Sequence, residues 1–165
     1  MPFNLLKVYN NLLEIMHMPP QQRIGSLRGV FNRDFVESAP VFFRGKKINP
    51  VVADGPSLDI LFRHLTTEVV DKKTRHREFE PDRSHRLHWI KHHLCECSPD
   101  AIEVFSVEDE GGIRTYIYDE TNSYVIILAP YRNGLEYYLI TAYYLTGRNP
   151  EKIKRKMARK LPTIY

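Results

Sequence analysis

Near Ile102 the apolar pattern of this chain changes from helical to alternating, and it stays alternating as far as Thr146. Ile102–Glu108, Ile113–Asp119, Tyr124–Pro130 and Glu136–Thr146 are β-branched and aromatic runs. They are separated by the turn-forming links Asp109-Glu110-Gly111-Gly112, Glu120-Thr121-Asn122-Ser123 and Tyr131-Arg132-Asn133-Gly134. Period two is the signature of a strand, and links this short favour antiparallel neighbours. The expectation is a four-stranded antiparallel β-sheet built as a meander.

Everything upstream reads as helix. Phe3–Met18 carries Leu5, Tyr9, Leu12, Leu13 and Met16 at helical spacing and stops at Pro19-Pro20. A second helix is predicted over Gln21–Glu37, with Ile24, Leu27, Phe31 and Phe35 inward. Val41–Arg44 and the following Gly45–Ile48 read as a short strand and turn, and Asp54-Gly55-Pro56-Ser57 as a turn capping a helix from Leu58. That helix carries Leu58, Leu61, Phe62 and Leu65 on one face and delivers His64 near its end. Asp71–Glu80 reads as a charged connector to a helix from Pro81-Asp82 through Leu94. There His85, His88 and His92 align beside an inward stripe of Leu87, Ile90 and Leu94. Asn149-Pro150 opens a final helix with Ile153, Met157 and Leu161 toward the sheet. The fold class expected is α+β: N-terminal helices, the four-stranded antiparallel meander, and a basic C-terminal helix.

The length of 165 residues suits one domain or a domain with an extension. With 42% hydrophobic and 27% charged residues, wholesale disorder is excluded. No apolar run approaches the roughly 18 residues of a membrane span, and no secretory leader is visible, so a soluble, cytoplasmic protein without membrane contact is expected. Cys95 and Cys97 stand too close together for an easy mutual disulfide, which fits a reducing compartment. Net charge is +4, yet residues 148–160 hold seven cations against Glu151 alone, a local +6 that leaves −2 for the remainder. Concentrated positive charge on a near-neutral body points to a polyanion, with a solvated helix face as the plainer reading.

Six of the seven histidines lie between His64 and His93, a density suited to proton transfer near neutrality. On the second strand Arg114, Tyr116 and Tyr118 share one face, and nine of the ten tyrosines lie at or beyond Tyr116. Cross-strand pairing accounts for some of these rings, and base stacking is the functional alternative. Three rival readings come from the same residues. One is a zinc site drawn from His85, His88, His92, Cys95 and Cys97; the second is a nucleic-acid-binding module without catalysis; the third is a structural protein of phage or mobile-element origin whose basic helix contacts an acidic partner chain. No P-loop, dinucleotide fingerprint or nucleophile elbow is present.

Four segments together resemble a known family: Arg83-Ser84-His85-Arg86-Leu87-His88-Trp89-Ile90, Arg114-Thr115-Tyr116-Ile117-Tyr118, Tyr137-Tyr138-Leu139-Ile140-Thr141-Ala142-Tyr143, and the basic C-terminal helix. The chain resembles the phage-encoded branch of the barnase/EndoU/colicin/RelE-like ribonucleases. The resemblance covers roughly Val41 to Leu161 and implies residues 41–165 as a ribonuclease-like α+β domain after a helical extension over 1–40. It implies a toxin-like, metal-independent endoribonuclease without cofactor, acting on RNA by 2′-OH transesterification and restrained by a cognate inhibitor protein. The catalytic candidates it implies are His64, Arg86, His88, Arg114, Tyr116, Thr141 and Tyr143. Lys152, Lys154, Arg155, Lys156 and Arg159 are the RNA-binding candidates on the last helix.

Overall fold

The computed structural model describes residues 3–38, 40–50 and 57–165. Among them the chain forms α1 (Pro20–Phe35), β1 (Phe42–Phe43), β2 (Lys46–Pro50), α2 (Ser57–Thr66), β3 (Thr67–Asp71), β4 (His76–Phe79), α3 (Pro81–Ser84) and α4 (Trp89–Leu94). There follow β5 (Glu103–Asp109), β6 (Gly112–Asp119), β7 (Tyr124–Tyr131), β8 (Glu136–Tyr144) and α5 (Asn149–Ala158). The turn expected over Asp54–Pro56 lies outside the described residues.

The four-stranded antiparallel meander is corrected to a six-stranded mixed sheet, curled into a half-barrel, in the order β1-β2-β8-β7-β6-β5. The alternating runs do pair in sequence as β5 to β8. Their last strand is not an edge, however, because β2 lies parallel along it from Lys47↔Glu136 to Pro50↔Leu139. A strand that buries Tyr137 and Leu139 on one face would otherwise expose a row of unpaired backbone groups, and β2 with β1 covers them.

The expected first helix is also corrected. Only Phe3–Leu6 turns, as a short 3-10 segment, and the chain then runs as an irregular strap. Leu13 and Ile15 are both fully buried while Leu12 and Met16 face solvent, so burial here has period two, and Asn10 sits at φ 76° where a helix cannot continue. Asn4 pins the strap by bonding the Glu14 backbone in both directions, at 3.0 and 2.8 Å. Leu13 N donates to His85 O at 2.9 Å.

The Pro81–Leu94 helix is interrupted between Ser84 and Trp89, where strap contacts replace helical ones. The charged connector is the β3–β4 hairpin, whose inner side carries Arg77 and Phe79. Strap, α1, α2 and α4 cover one face of the sheet in a single large core containing Ile15, Phe31, Leu61, Leu87, Leu128 and Leu139. Helix α5 covers part of the other face, where Ile153 meets Phe105, Val107, Tyr116, Tyr118 and Val125.

Candidate functional site

Strand β8 contains a bulge. Ile127 pairs with Thr141 and Leu128 with Leu139, so Ile140 has no partner on β7. Before the bulge Tyr137 and Leu139 enter the large core; after it Ala142 does, while Thr141 and Tyr143 turn to the opposite face. Among the described residues β2 ends opposite Leu139, and α2 and α3 also contact β8. Beside the later part of β8 a cleft is lined by Arg83 from α3 and by Tyr143 and Tyr144.

His64 comes from the last turn of α2, half-buried, with its ring against the Ile140 backbone and near Arg77, Arg63 and Arg83. Arg83, from α3, donates through Nη1 to His64 O at 2.6 Å and to Thr67 O at 2.9 Å, and reaches Thr141 Oγ1 at 3.4 Å. Its guanidinium lies 5.5 Å from the centre of the Tyr143 ring. Arg77, from β4, donates to Thr67 Oγ1 and to Thr67 O, both at 2.8 Å. Two guanidiniums thus share one carbonyl oxygen. Among the described residues no carboxylate lies within 4.0 Å of either, and Arg83 Nε is buried with no hydrogen-bond partner. Glu68, Glu80 and Asp82 line the cleft with Arg83 and Tyr143, and Glu80 is engaged at the start of α3, accepting from the Asp82 and Arg83 amides at 3.1 and 2.7 Å.

This crowding sets the charge states. Burial lowers the His64 pKa, Arg77 lowers it further, and the hydrogen bond to the Ile140 backbone opposes both; Arg63 and Arg83 add to the depression. The imidazole is therefore neutral at physiological pH and able to accept a proton. Burial raises the Tyr143 phenol. The arrangement offers a neutral base, two cations and two hydroxyls, groups able to move a proton and to hold an anion.

Of the seven expected catalytic residues, His64, Thr141 and Tyr143 come together; the others do not join them. His88 is 5% exposed and packs under the strap, with Nε2 3.1 Å from Val8 O. Arg86 lies against the rings of Tyr144 and Trp89, 3.8 and 5.2 Å from their centres, and bonds Asp82 O at 2.7 Å. Arg114 bonds its own neighbour, Ile113 O, at 2.9 Å and lies across the β5–β6 turn at Gly111, where an added Cβ would stand 2.5 Å from Nη2. Tyr116 is buried beneath α5 and donates to Asp109 Oδ2 at 2.7 Å. The Arg-Tyr-Tyr face of β6 is thus mostly covered by the helix expected to flank it.

That helix also holds its cations close. Lys156 and Arg159 pair with Asp109 at 2.6 and 3.1 Å, and Lys154 pairs with Glu120 at 2.7 Å. Lys152 and Arg155 are exposed, with no carboxylate within 4.0 Å among the described residues. The zinc alternative finds no support: the described residues contain no group of three His, Cys, Asp or Glu side chains able to hold a metal ion. The break after Ser84 sends His85 Nδ1 to Leu13 O at 2.6 Å and His88 to Val8, while His92 Nε2 lies 2.8 Å from Ser98 Oγ.

Arg77 and Arg83 are the site residues that the pattern of the sequence did not single out. The signal for Arg77 was the alternation of His76-Arg77-Glu78-Phe79, masked by charge; Arg83 stood next to the correctly placed start of α3. No protein-family model, curated protein or solved structure matches this chain. Among the described residues no helix is long and apolar enough to cross a membrane.

Proposed function

We propose that the protein is a metal-independent endoribonuclease whose reacting centre is the cleft at the β8 bulge. The observation that carries this reading is the convergence of Arg77 and Arg83 on the Thr67 carbonyl beside a neutral His64. Like charges packed together, with Glu68 and Glu80 acting on them only from beyond ion-pair distance among the described residues, are costly alone and favourable around an anion.

In the reaction His64 takes the proton of the ribose 2′-hydroxyl. The 2′-oxygen attacks phosphorus, and Arg77 and Arg83 hold the non-bridging oxygens as negative charge builds on them. Thr141 donates a hydrogen bond to the same group. The bond from phosphorus to the 5′-oxygen breaks, and Tyr143 gives the departing oxygen its proton. A raised phenol pKa suits that transfer, because the leaving alkoxide is the stronger base. The products are a 2′,3′-cyclic phosphate and a 5′-hydroxyl, and the Tyr143 phenolate recovers its proton from His64 through solvent. Cytoplasmic action, and restraint by an inhibitor protein in the cell that makes the enzyme, belong to the same proposal.

The test is purified protein with an RNA oligonucleotide and its 2′-deoxy counterpart in EDTA. Cleavage of the RNA alone, leaving 2′,3′-cyclic ends, is the expected result. Cleavage of both strands, or of neither, overturns the reading.

A further inference from the structure

Strand β8 presents another residue on the face that carries Thr141 and Tyr143. Tyr137 and Leu139 enter the large core, so Tyr138 between them faces away from it. Its ring stacks on Tyr131 with centres 4.2 Å apart and planes at 28°. Arg132 donates to the Tyr131 hydroxyl at 3.0 Å, and its guanidinium lies 5.2 Å from that ring's centre. Arg114 and Arg132 line the same cleft of about 480 Å³ beside Tyr131. Helix α5 stops short of this end of the sheet: its apolar contacts are Phe105, Val107, Tyr116, Tyr118 and Val125. Paired tyrosines flanked by arginines, on a sheet face that α5 leaves uncovered, give π-surfaces for bases and cations for phosphates.

We propose that the Tyr131–Tyr138 pair, with Arg114 and Arg132, is a base-stacking subsite that holds single-stranded RNA next to the cleft at the bulge. Tyr138 stands three positions before Thr141, about 10 Å at the rise of a strand, so one RNA strand reaches both. The occupant is a nucleic acid rather than a protein because the flanking charge is net cationic: Glu136 pairs with Arg132 at 3.2 Å, and Arg114 has no carboxylate within 4.0 Å among the described residues. The subsite rests on the ribonuclease reading for its substrate but not for its own geometry.

The experiment is fluorescence anisotropy of the full chain with a labelled 2′-O-methyl RNA 12-mer, which binds but cannot be cut through its 2′-oxygen. Tyr138→Ala is expected to weaken binding about tenfold, the effect of losing one stacked base. Tyr138→Phe should bind like the wild type, which separates stacking from misfolding. Arg114→Ala should lower the salt slope by roughly 0.7, one phosphate contact on a single strand. Wild-type affinity in Tyr138→Ala, or no binding by the wild type, overturns the subsite. Binding that depends on Tyr138 without any RNA cleavage overturns the catalytic reading alone.

Discussion

Replacing Asp119 with asparagine tests whether the strap is held by charge or only by packing. Asp119 and His93 are each 1% exposed, with Oδ2 and Nε2 3.1 Å apart. Tyr9 from the strap donates to the same oxygen at 2.5 Å, and Asn122 N donates to Oδ1 at 3.0 Å. Burial alone would raise the carboxyl pKa. The close approach of His93 and the hydrogen bonds from Tyr9 and Asn122 together outweigh it and bring the group down from 3.8 to about 2. A shift of that size corresponds to about 2.5 kcal/mol favouring the folded state at neutral pH. A hydrogen bond to a charged group contributes about 1.5–3 kcal/mol, so the two routes meet near 3 kcal/mol.

The folded pKa is depressed, so the stabilisation is fully present above the unfolded value near 3.8 and is lost as pH falls through the folded value near 2. Urea denaturation of wild type and Asp119→Asn should differ by about 3 kcal/mol at pH 7, and the gap should close between about pH 4 and pH 2. A gap below about 1 kcal/mol at pH 7, or one that does not change with pH, would refute the reasoning.

Three further outcomes follow from the site. Because burial and Arg77 depress the His64 pKa, the acid limb of the cleavage rate should lie below the ordinary imidazole value of about 6.5, and Arg77→Gln should move it to higher pH; a limb that moves down contradicts this. On α5, Lys152→Ala with Arg155→Ala should weaken RNA binding and reduce its salt dependence more than Lys154→Ala with Arg159→Ala, whose side chains are paired with Glu120 and Asp109; filter binding at several salt concentrations measures both. Leu139→Ala, fully buried just before the bulge, should cost about 2–5 kcal/mol in a denaturant titration, and near-neutral behaviour would mean that β8 is not packed as described.

Local patterns were legible in the sequence and long-range pairings were not. Strands β5 to β8 declared themselves because each alternates and each link is a few residues long. Strand β2 did not, because Lys46–Pro50 has only Ile48 as an apolar marker and its partner lies about ninety residues away along the chain. The strap misled for a different reason: Leu5, Tyr9 and Leu13 fit a helix, yet Tyr9 leaves that pattern to bond Asp119 and stack on His92 at 3.9 Å. In the site, His64, Thr141 and Tyr143 carried readable chemistry. Their meeting with Arg77 and Arg83 depended on a one-residue bulge at Ile140, which leaves no period to detect, and on a hairpin whose alternation is masked by charged residues. His88 shows the converse, since a histidine beside tryptophan looks poised for chemistry but is held under the strap.

The central claim is that His64 and Arg83, rather than His88, act on the scissile phosphodiester. Single-turnover cleavage of a short RNA in EDTA by His64→Ala, Arg83→Ala and His88→Ala proteins, each verified as folded by circular dichroism, measures it. The first two should lose at least about a hundredfold in rate, the scale of one general base or one charge-stabilising donor, while folded His88→Ala keeps the wild-type rate. Wild-type cleavage by His64→Ala, or loss confined to His88→Ala, would contradict the account.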